Sequence, residues 1–225
     1  MKITAIEPQK KKADRVNVFI DGQFAFGLSM ALRFENKLEV SQEISEGKIK
    51  ELIEKDQIER LVNKALRFLS FRPRSEKELR DHFLRTVRPV EVKSEAEKTQ
   101  YSDSIEKVIG ELQRLEQVDD AAFAKWWVEQ RLRFKPMSVS LIKRELLAKG
   151  IDKEIVEEVM KGTKETESTN EDNLAMKAAT KKLSSYKNLE PGDFKIKMGQ
   201  FLARKGFSWE IIKKTVDTLI EKRVE

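Results

Sequence analysis

Leu66-Arg-Phe-Leu-Ser-Phe-Arg-Pro-Arg-Ser-Glu-Lys-Glu-Leu-Arg-Asp-His-Phe-Leu-Arg85 is the stretch whose reading decides the fold. Val62, Ala65, Leu66 and Leu69 recur at helical spacing, and Pro73 ends the pattern because proline disfavours helix in the residue before it. Ser75, with Glu78 three residues on, has the form of a capping box that starts a second helix. Leu79, Phe83 and Leu84 give that helix an apolar stripe. The stretch then returns. A shift of 63 residues turns Phe71-Arg72-Pro73-Arg74-Ser75 into Phe134-Lys135-Pro136-Met137-Ser138, and the stripe into Ile142, Leu146 and Leu147.

A looser third copy follows the second at a shift of 56, where Lys149-Gly150-Ile151-Asp152 matches Lys205-Gly206-Phe207-Ser208. Each glycine is placed to close a helix in the left-handed conformation, with Ile151 or Phe207 as the apolar residue beyond it. Asp152 and Ser208 are then N-caps of the next helix. Each unit reads as helix, turn, helix, stop, helix, with third helices near 104–115, 152–160 and 208–222. In the first unit the glycine stop is replaced by a polar insert, Arg88 to Tyr101, without a helical apolar face. Repeats of this length bury a shared core by stacking. The expected fold is therefore mainly α: tandem three-helix repeats forming an elongated, curved molecule behind a small β-containing N-terminal segment.

That N-terminal segment covers 1–57. Lys2–Ile6 and Val16–Ile20 alternate as half-buried strands do, and Asp21-Gly22 is a hairpin turn signal followed by Phe24, Phe26 and Leu28 on one expected face. The tip Gln9–Lys12 reads as a solvated loop, with contact to an anion as the alternative. From Glu46 the pattern becomes helical and runs on towards the first repeat. The three repeats are expected at 58–117, 118–162 and 163–225.

Composition excludes several classes. Among 225 residues there is no cysteine and one histidine, so neither a disulfide framework nor a Cys/His zinc site is expected. His82 has no nucleophile or ligand partner at a useful spacing, and no Gly-rich phosphate loop occurs. Asp119-Asp120 reads as a helix N-cap with an acid in the first turn, not as a metal pair. The expectation is a non-enzyme with no cofactor and no metal. No run of 18 apolar residues or apolar signal core is found, so a cytoplasmic monomer without a membrane span is expected.

Net charge is +6, but its placement says more. Residues 60–88 carry nine basic and three acidic side chains, 125–149 seven and two, and 177–205 eight and two. The third helices are reversed or neutral: 152–160 carries four acids and one lysine. Positive charge therefore gathers on the first two helices of each unit, the footprint of phosphate or of a strongly acidic protein groove. Arg72 and Arg74 flank Pro73 ahead of a helix start, and Lys135 is their counterpart. Two readings stand for this turn: pairing with an anion, helped by free helix N–H groups, or structural ion pairs between the helices. Arg67 and Arg80 in the first copy extend the expected partner- or anion-binding face. Arg131, Arg133, Lys143 and Arg144 in the second copy, and Lys205 in the third, complete it. Phe71, Phe134, Trp209 and most other aromatics are expected in the core. Trp127 is expected in core or repeat-junction packing, with base stacking as the alternative.

Four motifs carry a resemblance: Arg-Pro-Arg-Ser-Glu-Lys-Glu-Leu at 72–79, Asp-Asp-Ala-Ala-Phe-Ala at 119–124, Arg-Leu-Arg-Phe-Lys-Pro at 131–136 and Lys-Gly-Phe-Ser-Trp-Glu-Ile-Ile at 205–212. As a set they resemble the RecX family, regulators of the recombinase RecA built from tandem three-helix repeats. The resemblance covers about 58–225, and the first 57 residues look like the strand-rich extension of some members. It implies binding along the groove of the RecA nucleoprotein filament, with loss of strand exchange or filament disassembly and altered ATP hydrolysis and coprotease activity. It also leaves room for single- or double-stranded DNA held through its phosphates. The alternative from the residues alone is a sequence-nonspecific DNA-binding helical protein acting without RecA.

Overall fold

The computed structural model describes residues 1–86, 94–164 and 170–224. The chain divides into two compact units, one of residues 1–72 and 79–115, the other of residues 73–78 and 116–225.

The first unit opens with an antiparallel meander of β1 (Ile3–Gln9), β2 (Lys12–Ile20) and β3 (Gln23–Ser29). Asp21 and Gly22 join β2 to β3 with φ of 48° and 83°, the two left-handed residues of a tight primed turn. Ile3, Val16, Val18, Ile20, Phe26 and Leu28 turn inwards and meet Leu32, Leu38, Ile44 and Leu52. Phe24 is exposed, against the expected three-residue face. The register slips between Val18↔Phe26 and Phe19↔Phe24, so one extra residue of β3 rotates Phe24 away from the core.

A short helix α1 (Met30–Glu35) leads to α2 (Glu46–Leu69), which begins on Ser45 as N-cap and runs unbroken through the anticipated start of the repeats. A buried ion pair locks the sheet to α2. Asp56 accepts from Arg15 Nη1 and Nη2 at 2.9 and 2.7 Å and from the Ser29 N–H at 2.9 Å. Helix α3 (Glu76–Thr86) buries Leu79 and Phe83 but leaves Leu84 exposed. Helix α4 (Glu95–Arg114) starts nine residues before the expected third helix. Residues 87–93 of the anticipated insert lie outside the described residues. Its remainder is helical because Ser94 and Glu97 form a reciprocal capping box, at 3.2 and 3.0 Å, ahead of a stripe of Tyr101, Ile105, Val108, Ile109 and Leu112.

The second unit holds two further helix triplets, and residues 73–78 belong with it. Helices α5 (Asp120–Phe134), α6 (Val139–Ala148) and α7 (Lys153–Lys164) enclose Phe123, Val128, Ile142, Leu146, Val156 and Met160. Helices α8 (Glu171–Leu183), α9 (Pro191–Arg204) and α10 (Trp209–Val224) enclose Leu174, Phe194, Met198, Leu202, Ile212 and Val216. Leu132 and Val139 pack against both cores. The anticipated stops are present: Gly150 and Gly206 have φ of 82° and 83°. The N–H of Ile151 reaches the Leu146 carbonyl at 3.1 Å and that of Phe207 the Leu202 carbonyl at 3.3 Å, the long bond of a glycine-terminated helix.

The stripe expectation is corrected in the same way in two copies. Leu84 and Leu147 are both exposed while the pairs before them, Leu79 with Phe83 and Ile142 with Leu146, are fully buried. A middle helix with neighbours on one side buries only the i and i+4 positions.

Candidate anion-binding surface at the repeat junctions

Each middle helix in the second unit's junctions begins against the glycine stop of the following copy. Ser75 donates its hydroxyl to the Lys149 carbonyl at 2.7 Å, and the Glu76 N–H reaches Asp120 Oδ1 at 2.9 Å. One copy later, the Ser138 N–H reaches the Lys205 carbonyl at 2.9 Å and the Val139 N–H reaches Glu171 Oε1 at 2.7 Å. The fit leaves no room at the glycines. A Cβ on Gly150 would lie 2.6 Å from Lys77 Cβ, and one on Gly206 would lie 2.4 Å from Ser138 Oγ. The serines are local caps, each accepting from the third N–H of its own helix at 3.2 Å in both copies. Their second role, tying one copy to the next, has no signature in local sequence.

At the first of these junctions, Lys149 is an ion-pair partner of Glu78, and its ammonium lies 4.1 Å from the Trp127 ring centroid. Trp127 also donates Nε1–H to Glu145 Oε2 at 2.9 Å, and the Arg131 guanidinium sits 4.1 Å from its ring. Trp127 is thus a junction residue, as expected. Asp120 is also part of this wall, and burial raises its carboxyl above the ordinary value against the opposing effect of the Glu76 N–H.

At the second junction the charges differ. Lys205 is half-buried, its ammonium 5.7 Å from the Phe201 ring centroid. Burial lowers its pKa, and Arg131 and Lys135 push it further down; Glu145 alone opposes them. Glu145 is already engaged, accepting Arg131 Nε–H at 2.6 Å besides the tryptophan. The position equivalent to Glu78 is Leu141.

The other expected residues divide between roles. Arg80 is held by Glu106 through two bonds of 2.7 Å, which draws the Glu106 carboxyl below its ordinary value. Lys143 is held by Glu157 at 2.6 and 2.8 Å. Both therefore act as structural ion-pair partners. Arg67 and Arg144 are exposed on α2 and α6; Arg72 and Arg74 are half-buried around Pro73. Arg133 and Lys135 are exposed at the end of α5. Arg131 and Lys135 are the cations whose charge acts on Lys205.

On the neighbouring side of the α5 terminus lies a groove of about 380 Å³ lined by Arg133, Pro136, Asn173, Met176, Lys177, Thr180 and Lys181. Lys181 fixes it by donating to the carbonyls of Arg133 and Phe134 at 3.1 and 3.0 Å. Lys177 and Lys181 were not singled out from the sequence, although the basic excess of 177–205 contained them. Three aromatics expected inside are outside: Phe71 is 76% exposed, Phe134 54% and Trp209 75%. The first two stand where a helix ends before proline and the chain turns off the core; Trp209 opens α10 beyond its cap. Among the described residues no group of three His, Cys, Asp or Glu side chains is placed to hold a metal ion, and no helix is long and apolar enough to cross a membrane.

Comparison with known proteins gives a consistent result along the chain. Residues 1–45 match the family model of the regulatory protein RecX N-terminal domain, and residues 62–85, 119–160 and 170–216 match those of the first, second and third RecX three-helix domains. Regulatory protein RecX of Clostridium beijerinckii is 33% identical over 227 residues, spanning 100% of this chain and 98% of that protein. Regulatory protein RecX of Bacillus subtilis is 31% identical over 219 residues, 96% of this chain and 76% of its own. A crystal structure of regulatory protein RecX superposes with a TM-score of 0.59 at 25% identity, covering 96% of this chain and 98% of that one. That of RecX from Lactobacillus salivarius gives 0.50 at 27% identity, over 73% and 97%. A chain with this repeat plan, matched from end to end at this identity, belongs to the RecX family of regulatory proteins.

Proposed function

We propose that the protein binds the RecA nucleoprotein filament and modulates, mostly by inhibiting, its recombinase and ATPase activity. It acts as a cytoplasmic monomer and by binding, not by catalysis. Membership of a regulatory family supports this reading. The observation that carries it is the repetition of one helical unit with an excess of cations left at the second junction. A filament presents the same groove again and again, and a repeat protein meets such a surface with more than one contact. Linking two weak contacts in one chain raises avidity by about 10²–10⁴ over either alone. Arg131, Lys135 and Lys205, with Glu145 already bonded to Arg131, leave an excess of positive charge that gives the surface a preference for an acidic groove or for phosphate.

The test is binding to filaments assembled from RecA on single-stranded DNA with a slowly hydrolysed ATP analogue, measured beside binding to the same DNA without RecA and to RecA without DNA. The expected result is markedly tighter binding to the filament than to either component. Equal affinity for filament and bare DNA would overturn the proposal.

A further inference from the structure

The two junctions share one backbone plan, so the first serves as an internal reference for the second. In the first, the lysine before the glycine stop, Lys149, is neutralised by Glu78. In the second, the corresponding lysine is Lys205, and Leu141 occupies the place of the glutamate. Leu141 lies at that spot, its Cβ 3.1 Å from where a Cβ on Gly206 would stand. The same step along the repeat that removes the carboxylate adds charge: Arg131 replaces Phe68, while Lys135 keeps the positive charge of Arg72. Three cations then share one carboxylate, Glu145, whose Oε2 is already bonded to Trp127 and Arg131. Like charges that outnumber the carboxylate between them favour a bound anion, because it removes their remaining repulsion.

The surroundings say which anion. Phe134 is exposed at the same helix end, between Arg133 and Lys135, with the Arg133 guanidinium 5.1 Å from its ring centroid. Beyond it lies the groove of Arg133, Lys177 and Lys181, whose lining includes no carboxylate. Cations tracking a backbone and an exposed ring between them are the two components of single-strand binding, since every base offers a face to stack. A duplex keeps its bases stacked inside, so it is the unpaired strand that offers base faces to the ring.

We propose that the second repeat junction, formed by Arg131, Lys135 and Lys205 beside Phe134, is a site for the phosphodiester backbone of single-stranded DNA. The inference rests on the reading that the basic repeats are the working surface of a filament regulator, and it names what that surface touches. The site holds phosphate at the Lys205 cluster, passes the adjoining nucleotide over Phe134 and continues into the groove.

The test restores the missing carboxylate without removing a cation. Leu141→Glu recreates the first junction's ion pair at the second, and Leu141→Gln has the same shape without the charge. The probe is a fluorescein-labelled oligothymidylate, followed by anisotropy on the whole chain at several salt concentrations, with thermal melts confirming that both variants fold. Leu141→Glu is expected to bind about tenfold more weakly than Leu141→Gln, the scale of one charge-assisted contact. Lys135→Gln, an exposed change that does not disturb folding, is expected to weaken binding and to lower the salt slope by about 0.7, one phosphate contact on a single strand. Equal affinity of the two Leu141 variants, or an unchanged slope in Lys135→Gln, overturns the site.

RecA ATPase inhibition measured in parallel separates this inference from the one beneath it. If the wild-type chain inhibits RecA while the Leu141 variants bind DNA alike, the site is wrong and the filament reading stands. If the charge-dependent loss of DNA binding is found but the wild-type chain leaves RecA untouched, the site stands and the filament reading falls.

Discussion

Replacing Gly206 by alanine strikes the second junction at its tightest point. The residue has φ of 83°, a conformation that costs an L-residue about 1–2 kcal/mol. The new Cβ would lie 2.4 Å from Ser138 Oγ and 3.1 Å from Leu141 Cβ, so Ser138 must move. Overpacking of this kind costs about 1–3 kcal/mol. Displacing Ser138 also loosens its N–H bond to the Lys205 carbonyl, 2.9 Å long, which contributes about 1 kcal/mol. The expected destabilisation is about 3–6 kcal/mol, a large part of the 5–15 kcal/mol typical of a folded domain. All three tryptophans, Trp126, Trp127 and Trp209, lie in the second unit, so urea unfolding followed by tryptophan fluorescence reports on the right part of the chain. Gly199, inside α9, is the control: a Cβ there meets only Ile212 Cγ2 at 3.8 Å, and alanine should stabilise the helix by about 0.5–1 kcal/mol. A Gly206→Ala midpoint within about 1 kcal/mol of wild type, or a Gly199→Ala variant that is the more damaged of the two, would refute the reasoning.

Asp56→Ala strands the Arg15 guanidinium and the Ser29 N–H in the first unit and should cost about 3–5 kcal/mol, read by circular dichroism during urea unfolding; a loss below about 1 kcal/mol would show that the pair does not hold the sheet to α2. Ser75→Ala removes both the cap of α3 and the bond to the Lys149 carbonyl, and is expected to lower stability by about 1–2 kcal/mol, with the larger loss on the second unit's tryptophan signal. The Asp120 carboxyl is raised chiefly by burial, so the folded protein binds its proton more readily than the unfolded chain, and this group's contribution to stability falls as pH rises through its folded value. Asp120→Asn keeps an acceptor for the Glu76 N–H and removes the charge, so its stability relative to wild type should be more favourable at pH 7 than at pH 4; melts showing the same difference at both pH values would contradict this.

The repeat was legible because its punctuation is chemical. Proline, a capping serine and a glycine stop each demand a backbone state, and they recur at Pro73, Ser75 and Gly150 and again at Pro136, Ser138 and Gly206. The glycines were placed at helix ends and are found there with left-handed φ. The start of α4 escaped because its apolar stripe was counted from Ser104, while the capping box at Ser94 and Glu97 and buried Tyr101 lie in a stretch that reads as polar. Phe24 escaped because a register slip is a property of two paired strands and is not visible in either one.

The basic face was legible only as a bias. Charge counts cannot tell Arg80, which spends its guanidinium on Glu106, from Lys205, which has no such acid, because the partner lies 26 residues away in the first case and the missing acid is a leucine in the second. Aromatic residues just ahead of prolines are expected in the core because bulk alone predicts burial; Phe71 lies past the end of α2 and Phe134 is the last residue of α5, where the chain is about to turn away.

The central claim is tested most directly by titrating the 225-residue chain into RecA hydrolysing ATP on single-stranded DNA, with binding of the chain to the same DNA measured in the absence of RecA. The account predicts inhibition at concentrations well below those needed to coat the DNA. Inhibition only at coating concentrations, or no inhibition at all, would contradict it.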